Sequence, residues 1–362
     1  MRIALLVPTM EIGGVERVFV NLANGLHECG AQVDLVVGRA GGSMGRFVEK
    51  DVQVFDLESD RMLKSVPRLA KYLRARDPEA LIAGMTHCSA AALLARSVAR
   101  GKTKIVATEH STMSKAAANC SGLKYRLMPL WSRWVFNAAD YVIAVSAGVA
   151  DDLSAQTGIP RDRFRVIYNP AISDALYASA AAPVEHPWFQ VGEPPVILAV
   201  GRLDKAKDFP MLIRAFRHIR DCRAARLMIL GEGPDRRRIE EVVCELHLTQ
   251  DVALPGSEHN PYRYMNCAAA FALSSAWEGF GIVLVEALAL GLPVVSTNCT
   301  YGPAEILCDG KYGALVPTGD HEAMARALLC ALDGPVRRDN SQHVRQFTIR
   351  SVASQYISLI SN

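Results

Sequence analysis

Two carboxylates eight residues apart, Glu278 and Glu286, bracket a Gly279-Phe280-Gly281 turn that leads into the apolar run beginning Ile282-Val283. The glycines let the backbone turn sharply and approach a ligand closely, and a helix starting near Ile282 directs its free N–H groups at whatever sits there. An anionic group suits that position. Glu278, ahead of the turn, can reach polar groups beyond the anion, and Glu286, one turn into the helix, can accept hydrogen bonds from a second polyol. A diphosphate joining two sugars fits. The same spacing also suits an ordinary strand-turn-helix with solvated acids, so the other loops must decide between the two.

Three further loops point the same way. The first apolar run ends at Pro8, and the loop Glu11 to Arg17 carries Gly13 and Gly14 at the mouth of a helix, suited to phosphate or to a plain turn. It lacks the three-glycine dinucleotide fingerprint, which disfavours a nicotinamide enzyme. The strand Val196–Val200 runs into a loop holding Arg202 and Lys207, with Lys205 as a bystander. A guanidinium fork and an ammonium at that place stabilise the charge that a departing nucleoside diphosphate develops. Gly231-Glu232-Gly233-Pro234 closes another strand as a tight loop, able to touch a base or ribose through its backbone or simply to turn.

The elements that must position these loops alternate strand and helix throughout. Ile3–Val7, Val33–Val37, Val52–Phe55, Ala80–Ala83, Lys104–Ala107 and Tyr141–Val145 read as buried strands, with Val15–His27 and Met62–Leu73 as crossover helices. A second series, Val196–Val200, Arg226–Leu230, Val252–Leu254, Ala268–Leu273, Val294–Thr297 and Ala314–Val316, starts afresh after the Ala- and Pro-rich stretch Ala175–Pro195, which reads as a linker. The expected fold class is α/β with two doubly wound, Rossmann-like domains, residues 1–180 and 190–343, facing across a cleft. A last helix in residues 344–362 could cross back to the first domain. At 362 residues, two domains also match the usual size of one.

Composition is that of a soluble globular chain: 50% hydrophobic, 21% charged and without low-complexity tracts. No apolar run reaches membrane-spanning length, and Ile3–Val7 is too short for the core of a signal peptide, so a cytosolic chain is expected. Nine cysteines without metal-ligand or redox spacing read as reduced thiols. Residues 1–180 hold 22 Lys/Arg against 17 Asp/Glu, and the excess concentrates between Arg96 and Arg133. A solvated face is the ordinary reading of such a run, but here apolar residues interleave with the charges.

Together, Gly13-Gly14, Arg202, Lys207, Gly231-Glu-Gly-Pro and Glu278-x7-Glu286 resemble the family 4 glycosyltransferases, retaining enzymes of the GT-B type. Ser146-Ala-Gly148, Asn169-Pro170, Gly291-Leu-Pro293 and Gly302-Pro-Ala-Glu305 extend the resemblance over nearly the whole chain. It implies that Arg202 and Lys207 grip a diphosphate with backbone amides of Gly14, Ile282 and Val283. It implies that Glu286 holds ribose hydroxyls, that Glu278 holds the transferred sugar, and that the 279–283 turn and the Gly231 and Gly233 loop line the nucleotide. His110, in Thr108-Glu109-His110-Ser111, matches the family's cleft histidine, beside donor sugar and acceptor. The implied reaction passes the acceptor's proton to the leaving phosphate, needs no dedicated protein base and uses no cofactor or metal; no Asp-x-Asp or His/Cys cluster is present for one.

Within the family the chain resembles the branch that elongates polyprenyl-diphosphate-linked glycans, including bacterial N-acetylgalactosamine transferases. That resemblance implies an N-acetylhexosamine or hexose from a UDP-sugar, a glycan or lipid-linked acceptor, and peripheral contact at the inner face of the cell membrane. Glu109, His110, Lys115, Lys124, Arg126 and Arg133 become candidates for holding the acceptor or its lipid diphosphate. Leu123, Tyr125, Leu127, Met128, Leu130, Trp131 and Trp134 interleave with them as an interfacial helix would, attracted to an anionic membrane. A UDP-N-acetylglucosamine 2-epimerase and a non-catalytic sugar-nucleotide binder remain the competing readings. Nucleic acid is disfavoured, since no recognised module accompanies the basic run.

Overall fold

The structure is a computed structural model and describes residues 1–11, 13–114, 123–334, 337 and 339–361, with the side chains of 123–127 outside that description. The chain divides into two compact units, residues Met1–Ala171 with Gln346–Asn362, and Ile172–Arg345.

The first unit is built on a seven-stranded parallel sheet in the order β3-β2-β1-β4-β5-β6-β7. Its strands are β1 (Arg2–Thr9), β2 (Gln32–Arg39), β3 (Gln53–Asp56), β4 (Ala80–Gly84), β5 (Lys104–Glu109), β6 (Tyr141–Ala144) and β7 (Phe164–Val166). Ile3 to Val7 and Ala80 to Ala83 are wholly buried, because helices cover both faces of a parallel sheet and every position needs an apolar side chain. The helix Gly14–Glu28 turns Val18, Phe19, Leu22, Ala23 and Leu26 inward, a stripe at helical spacing. β1 lies between β2 and β4, pairing Leu5 with Leu35 on one side and Ile82 on the other. The strand order therefore reverses at β1 and β4, where open sheets leave a crevice at the carboxyl edge.

The second unit holds a six-stranded parallel sheet, β10-β9-β8-β11-β12-β13. Its strands are β8 (Val196–Val200), β9 (Arg226–Leu230), β10 (Val252–Gly256), β11 (Ala270–Leu273), β12 (Val294–Thr297) and β13 (Ala314–Val316). The order reverses at β8 and β11. The helix Phe209–Cys222 is started by the Asp208 carboxylate, which accepts from the Met211 amide at 3.4 Å, and by Pro210 in its first turn. Its buried face, Leu212, Ile213, Phe216 and Ile219, packs with Leu227 and Ile229 of β9 into the core.

Two differences from the sequence reading have local causes. The stretch expected to be a linker contains the helix Asp174–Ala180, whose buried Leu176 and Ala180 supply the tertiary packing that so short a helix needs beyond alanine's propensity. The unit boundary falls instead at 171/172. The expected helix over Met62–Leu73 is a 3-10 turn, Met62–Ser65, followed by the helix Val66–Arg76, with Pro67 in the first turn, where its missing N–H leaves no helical bond unmade.

Candidate functional site

At the carboxyl edge of the second sheet, the ends of β8, β9 and β11 are interlocked by backbone. Leu203 N–H donates to Glu232 O at 2.9 Å and Asp235 N–H to Leu203 O at 2.9 Å, zipping the loop after β8 to the loop after β9. Gly231 has φ +153°, and a Cβ there would collide with the Gly201 carbonyl; one at Gly233 would collide with that of Leu203. These glycines are thus required by loop against loop, whatever else their backbone touches. On the other side, Ala276 N–H donates to Ala206 O at 2.8 Å and the Ser274 hydroxyl to Lys207 O at 2.7 Å, holding the Lys207 backbone against the end of β11.

Lys207 and Glu278, both singled out by sequence, meet directly. The Lys207 ammonium pairs with Glu278 Oε1, which also accepts from the Ser275 hydroxyl at 2.7 Å. Their side chains are only 19% and 11% exposed, so the two charges offset one another where water is scarce. Arg202 differs: its side chain is 72% exposed, and its one ion-pair contact among the described residues is Asp204, at 3.9 Å. That leaves a guanidinium at the edge of the sheet with its five donors available to an anion.

Past Glu278 the chain turns at Gly281, which has φ +97° and caps the helix Ile282–Ala289 without any side-chain hydrogen bond. The first N–H groups of that helix belong to the half-buried Ile282 and Val283, and N–H groups at a helix start have no intrahelical partner. Phe280 is buried, so it can take part only through its backbone, and Gly279 is half-buried. Glu286 is 1% exposed and accepts from the Tyr262 hydroxyl at 2.9 Å. Sequence spacing found both glutamates but not Ser275 and Tyr262, which orient them; only three-dimensional contact reveals those partners.

At the carboxyl edge of the first sheet, Gly13 caps the helix Gly14–Glu28, again with no side-chain cap, and Gly14 is exposed. Glu16 folds back toward Gly13, where a Cβ would strike its carboxylate oxygen. Burial raises the Glu16 carboxyl above its ordinary range, with its own backbone amide and Thr9 opposing the shift. The mouth of this helix is therefore partly covered by the chain's own acid, a feature absent from the sequence reading.

His110 follows β5. Its Nε2 lies 3.0 Å from the Thr108 hydroxyl, its ring centroid 5.8 Å from that of Phe19, and its Nδ1 is buried without a hydrogen-bond partner among the described residues. Burial pushes the imidazole down from 6.5 to about 4, with Asn169 opposing the shift, so the ring is neutral at physiological pH. Glu109 is buried and fully engaged. Its Oε1 accepts from the His110 amide at 3.1 Å and from the Ser111 amide and hydroxyl at 3.2 and 2.8 Å, while Oε2 accepts from Thr86 at 2.7 Å. Glu109 thus shapes the His110 turn rather than offering a free carboxylate.

Among the described residues, the basic side chains between Arg96 and Arg133 go to separate partners. Arg96 pairs with Asp140, and Lys104 donates to Ile360 O at 2.7 Å. Lys104 opens β5 and His110 follows its end, which puts them roughly 20 Å apart at opposite edges of the sheet. Arg133, expected to hold a lipid diphosphate, is exposed and donates one bond, to Thr157 O at 2.9 Å at the end of the helix Ala147–Thr157, where a cation meets unpaired carbonyls. Lys115 lies outside the described residues; Lys124 and Arg126 lie on the helix Leu123–Ala138, with their side chains outside the description. No group of three or more His, Cys, Asp or Glu with metal-holding geometry occurs among the described residues, and no described helix is long and apolar enough to cross a membrane.

Comparison with known proteins assigns both units. Residues 12–172 match the model described as Glycosyltransferase Family 4, and residues 186–346 that described as Glycosyl transferases group 1. The N-acetylgalactosamine-N,N'-diacetylbacillosaminyl-diphospho-undecaprenol 4-alpha-N-acetylgalactosaminyltransferase of Campylobacter jejuni is 31% identical over 246 residues. That match covers 67% of this chain and 64%, just under two thirds, of the curated relative's length. The lipopolysaccharide core biosynthesis glycosyltransferase LpsE of Rhizobium meliloti is 27% identical across 97% of this chain and 96% of its own. Among solved structures, Anabaena HepE in complex with UDP and glucose superposes with a TM-score of 0.82 at 20% identity, covering 100% of both chains. WaaG, involved in lipopolysaccharide biosynthesis, superposes at 0.73 with 17% identity, covering 99% of this chain and 100% of its own. At these identities the structural matches establish the fold, which is GT-B.

Proposed function

The chain belongs to glycosyltransferase family 4, the two matches spanning its two halves, and we propose that it is a retaining, metal-independent hexosyltransferase. Its donor is a UDP-linked N-acetylhexosamine or hexose, and its acceptor a glycan or polyprenyl-diphosphate-linked glycan of bacterial surface polysaccharide or glycoprotein assembly. The observation that carries this reading is the carboxyl edge of β8 and β11, where exposed Arg202, the Lys207–Glu278 pair and the Gly281-opened helix gather. Arg202, Lys207 and the amides of Ile282 and Val283 supply positive charge to the diphosphate as it leaves. With that charge fixed in place, no reorganisation is needed as the glycosidic bond breaks. Glu278, held by Ser275, orients the transferred sugar, and Glu286, held by Tyr262, the ribose. The leaving phosphate oxygen takes the acceptor's proton, in keeping with a neutral His110 that serves as a positioning wall beside the sugar.

The named relative acts on an undecaprenyl-diphosphate-linked glycan, and HepE is solved with UDP and glucose; both favour the same substrate classes here. Peripheral attachment to an anionic membrane, at the cytoplasmic face, belongs to the same reading. The helix Leu123–Ala138 exposes Leu130, Trp131 and Trp134, the two indole rings 5.1 Å apart, and its sequence also carries Lys124 and Arg126.

Incubation with UDP-, GDP- and ADP-sugars and lipid-linked acceptors, with and without EDTA, tests the reading. The expected outcome is acceptor-dependent release of UDP, unaffected by EDTA, with the anomeric configuration of the donor kept in the product. Release of UDP with an epimerised free sugar and no acceptor would assign the chain to 2-epimerase chemistry instead.

A further inference from the structure

The second unit brings a thiol and an imidazole together at its surface. After the short helix Pro303–Ile306 the chain turns through Cys308 and Asp309, both in left-handed backbone at φ +46° and +53°, and the exposed Cys308 lies beside His343 of the helix Ser341–Val344. Cys308 Sγ is 3.9 Å from His343 Nδ1, and His343 Nε2 is 2.7 Å from the Ile306 carbonyl oxygen. A carbonyl only accepts, so Nε2 carries the hydrogen of the neutral ring and Nδ1 turns its lone pair to the thiol. Tyr312 stacks on the imidazole, the ring centroids 3.9 Å apart and the planes 8° from parallel, which fixes the ring's orientation. A nucleophile, a base within reach of its proton and a third group that orients the base are the parts of an activated nucleophile. Exposure alone does not supply them. Cys29 is exposed too, but its sulfur faces the Arg350 carbonyl at 3.9 Å and the Ser354 hydroxyl at 3.8 Å, neither of which is a base at neutral pH. Cys88 and Cys299 are buried, and burial pushes both thiols above their ordinary range.

We propose that Cys308 is a thiol-modification site, with His343 as its base and a low-molecular-weight disulfide as its co-reactant. His343 Nδ1 takes the Sγ proton, and the thiolate attacks one sulfur of the disulfide R–S–S–R. The bond from Cys308 Sγ to that sulfur forms as the original S–S bond breaks, and the departing R–S⁻ takes the proton from the imidazolium to leave as R–SH. Cys308 is oxidised to a mixed disulfide and the small disulfide is reduced to one thiol, so no further oxidant is needed. The site uses none of the groups assigned to sugar transfer and does not depend on that reading.

The test incubates the full chain with glutathione disulfide near neutral pH and follows the adduct on each cysteine by peptide mapping, in wild type and in His343→Gln. Glutamine keeps a donor for the Ile306 carbonyl but is no base. In wild type Cys308 should carry the adduct first, at least about tenfold faster than Cys29, as a positioned base provides. Dithiothreitol should release the adduct. In His343→Gln the Cys308 rate should fall to near that of Cys29, whose own rate should stay unchanged. Cys308 reacting no faster than Cys29 in wild type would overturn the proposal without recourse to any variant. An unchanged Cys308 rate in His343→Gln of wild-type Tm would overturn it as well, since the imidazole would then play no part.

Discussion

Lys207 and Glu278 stand 71 positions apart in the chain yet form one half-buried ion pair. Removing either partner leaves the other charge poorly solvated, so each single substitution should cost more than the pair is worth. Lys207→Ala and Glu278→Ala are each expected to lower unfolding free energy by about 1–3 kcal/mol, and the double variant by less than their sum, a coupling that urea unfolding of all four proteins would measure. Additive losses would mean that the two charges do not sense each other. His110 gives a pH signature of defined sign. Its folded value of about 4 lies below the unfolded 6.5, so the folded state binds fewer protons between those limits and stability rises with pH across that window. The contribution is present above pH 6.5 and is lost as pH falls toward 4, on the order of 3 kcal/mol at most. His110→Phe should flatten the dependence; an unchanged slope between pH 4.5 and 7 would show that this imidazole is not the group responsible.

At the scale of elements, helices and strands present the chemistry only through their ends, and those ends were unevenly legible. Gly281 and the run behind it announced a helix start, and the structure begins a helix at Ile282. The apolar runs that became strands were readable because parallel strands are buried on both faces; β7 was not, since Phe164-Arg165-Val166 offers three residues with a charge in the middle. Nor does nearness in sequence give the placement of the basic residues: Lys104 and His110 are close in number, but one strand separates them end to end. The helix Leu123–Ala138 carries its own prediction. Flotation with anionic liposomes should bring the protein to the lipid fraction, and Lys124→Glu/Arg126→Glu with Trp131→Ser/Trp134→Ser should leave it behind. Equal flotation of the variant would remove this helix from any membrane role.

Over the whole molecule, the chain leaves the first unit after Ala171 and rejoins it at Gln346. The returning helix Ile349–Ser361 buries Val352, Ala353, Tyr356, Leu359 and Ile360, and it approaches the helix Gly14–Glu28 so closely that a Cβ on Gly25 would lie 2.6 Å from the Ile349 carbonyl oxygen. Gly25→Val should therefore destabilise the first unit by about 1–3 kcal/mol, as overpacking of a close contact does, seen as a lowered Tm. The doubly wound pattern and the glycine turns and charges of the loops at the sheet edges were legible in sequence because strand rhythm, glycine turns and loop charges are local. The pairing of Lys207 with Glu278, the covering of Gly13 by Glu16 and the anchoring of the His110 turn were not, since each depends on groups brought together by packing.

The central claim is that Arg202 and Lys207 stabilise a departing nucleoside diphosphate. Arg202 is the cleaner probe, since its exposed side chain leaves the fold intact when removed. Steady-state transfer from a UDP-sugar to a lipid-linked acceptor, compared between wild type and Arg202→Ala of equal Tm, measures it directly. The account predicts a fall in kcat of about a hundredfold or more, as loss of a charged transition-state contact produces. Turnover near that of wild type would contradict it.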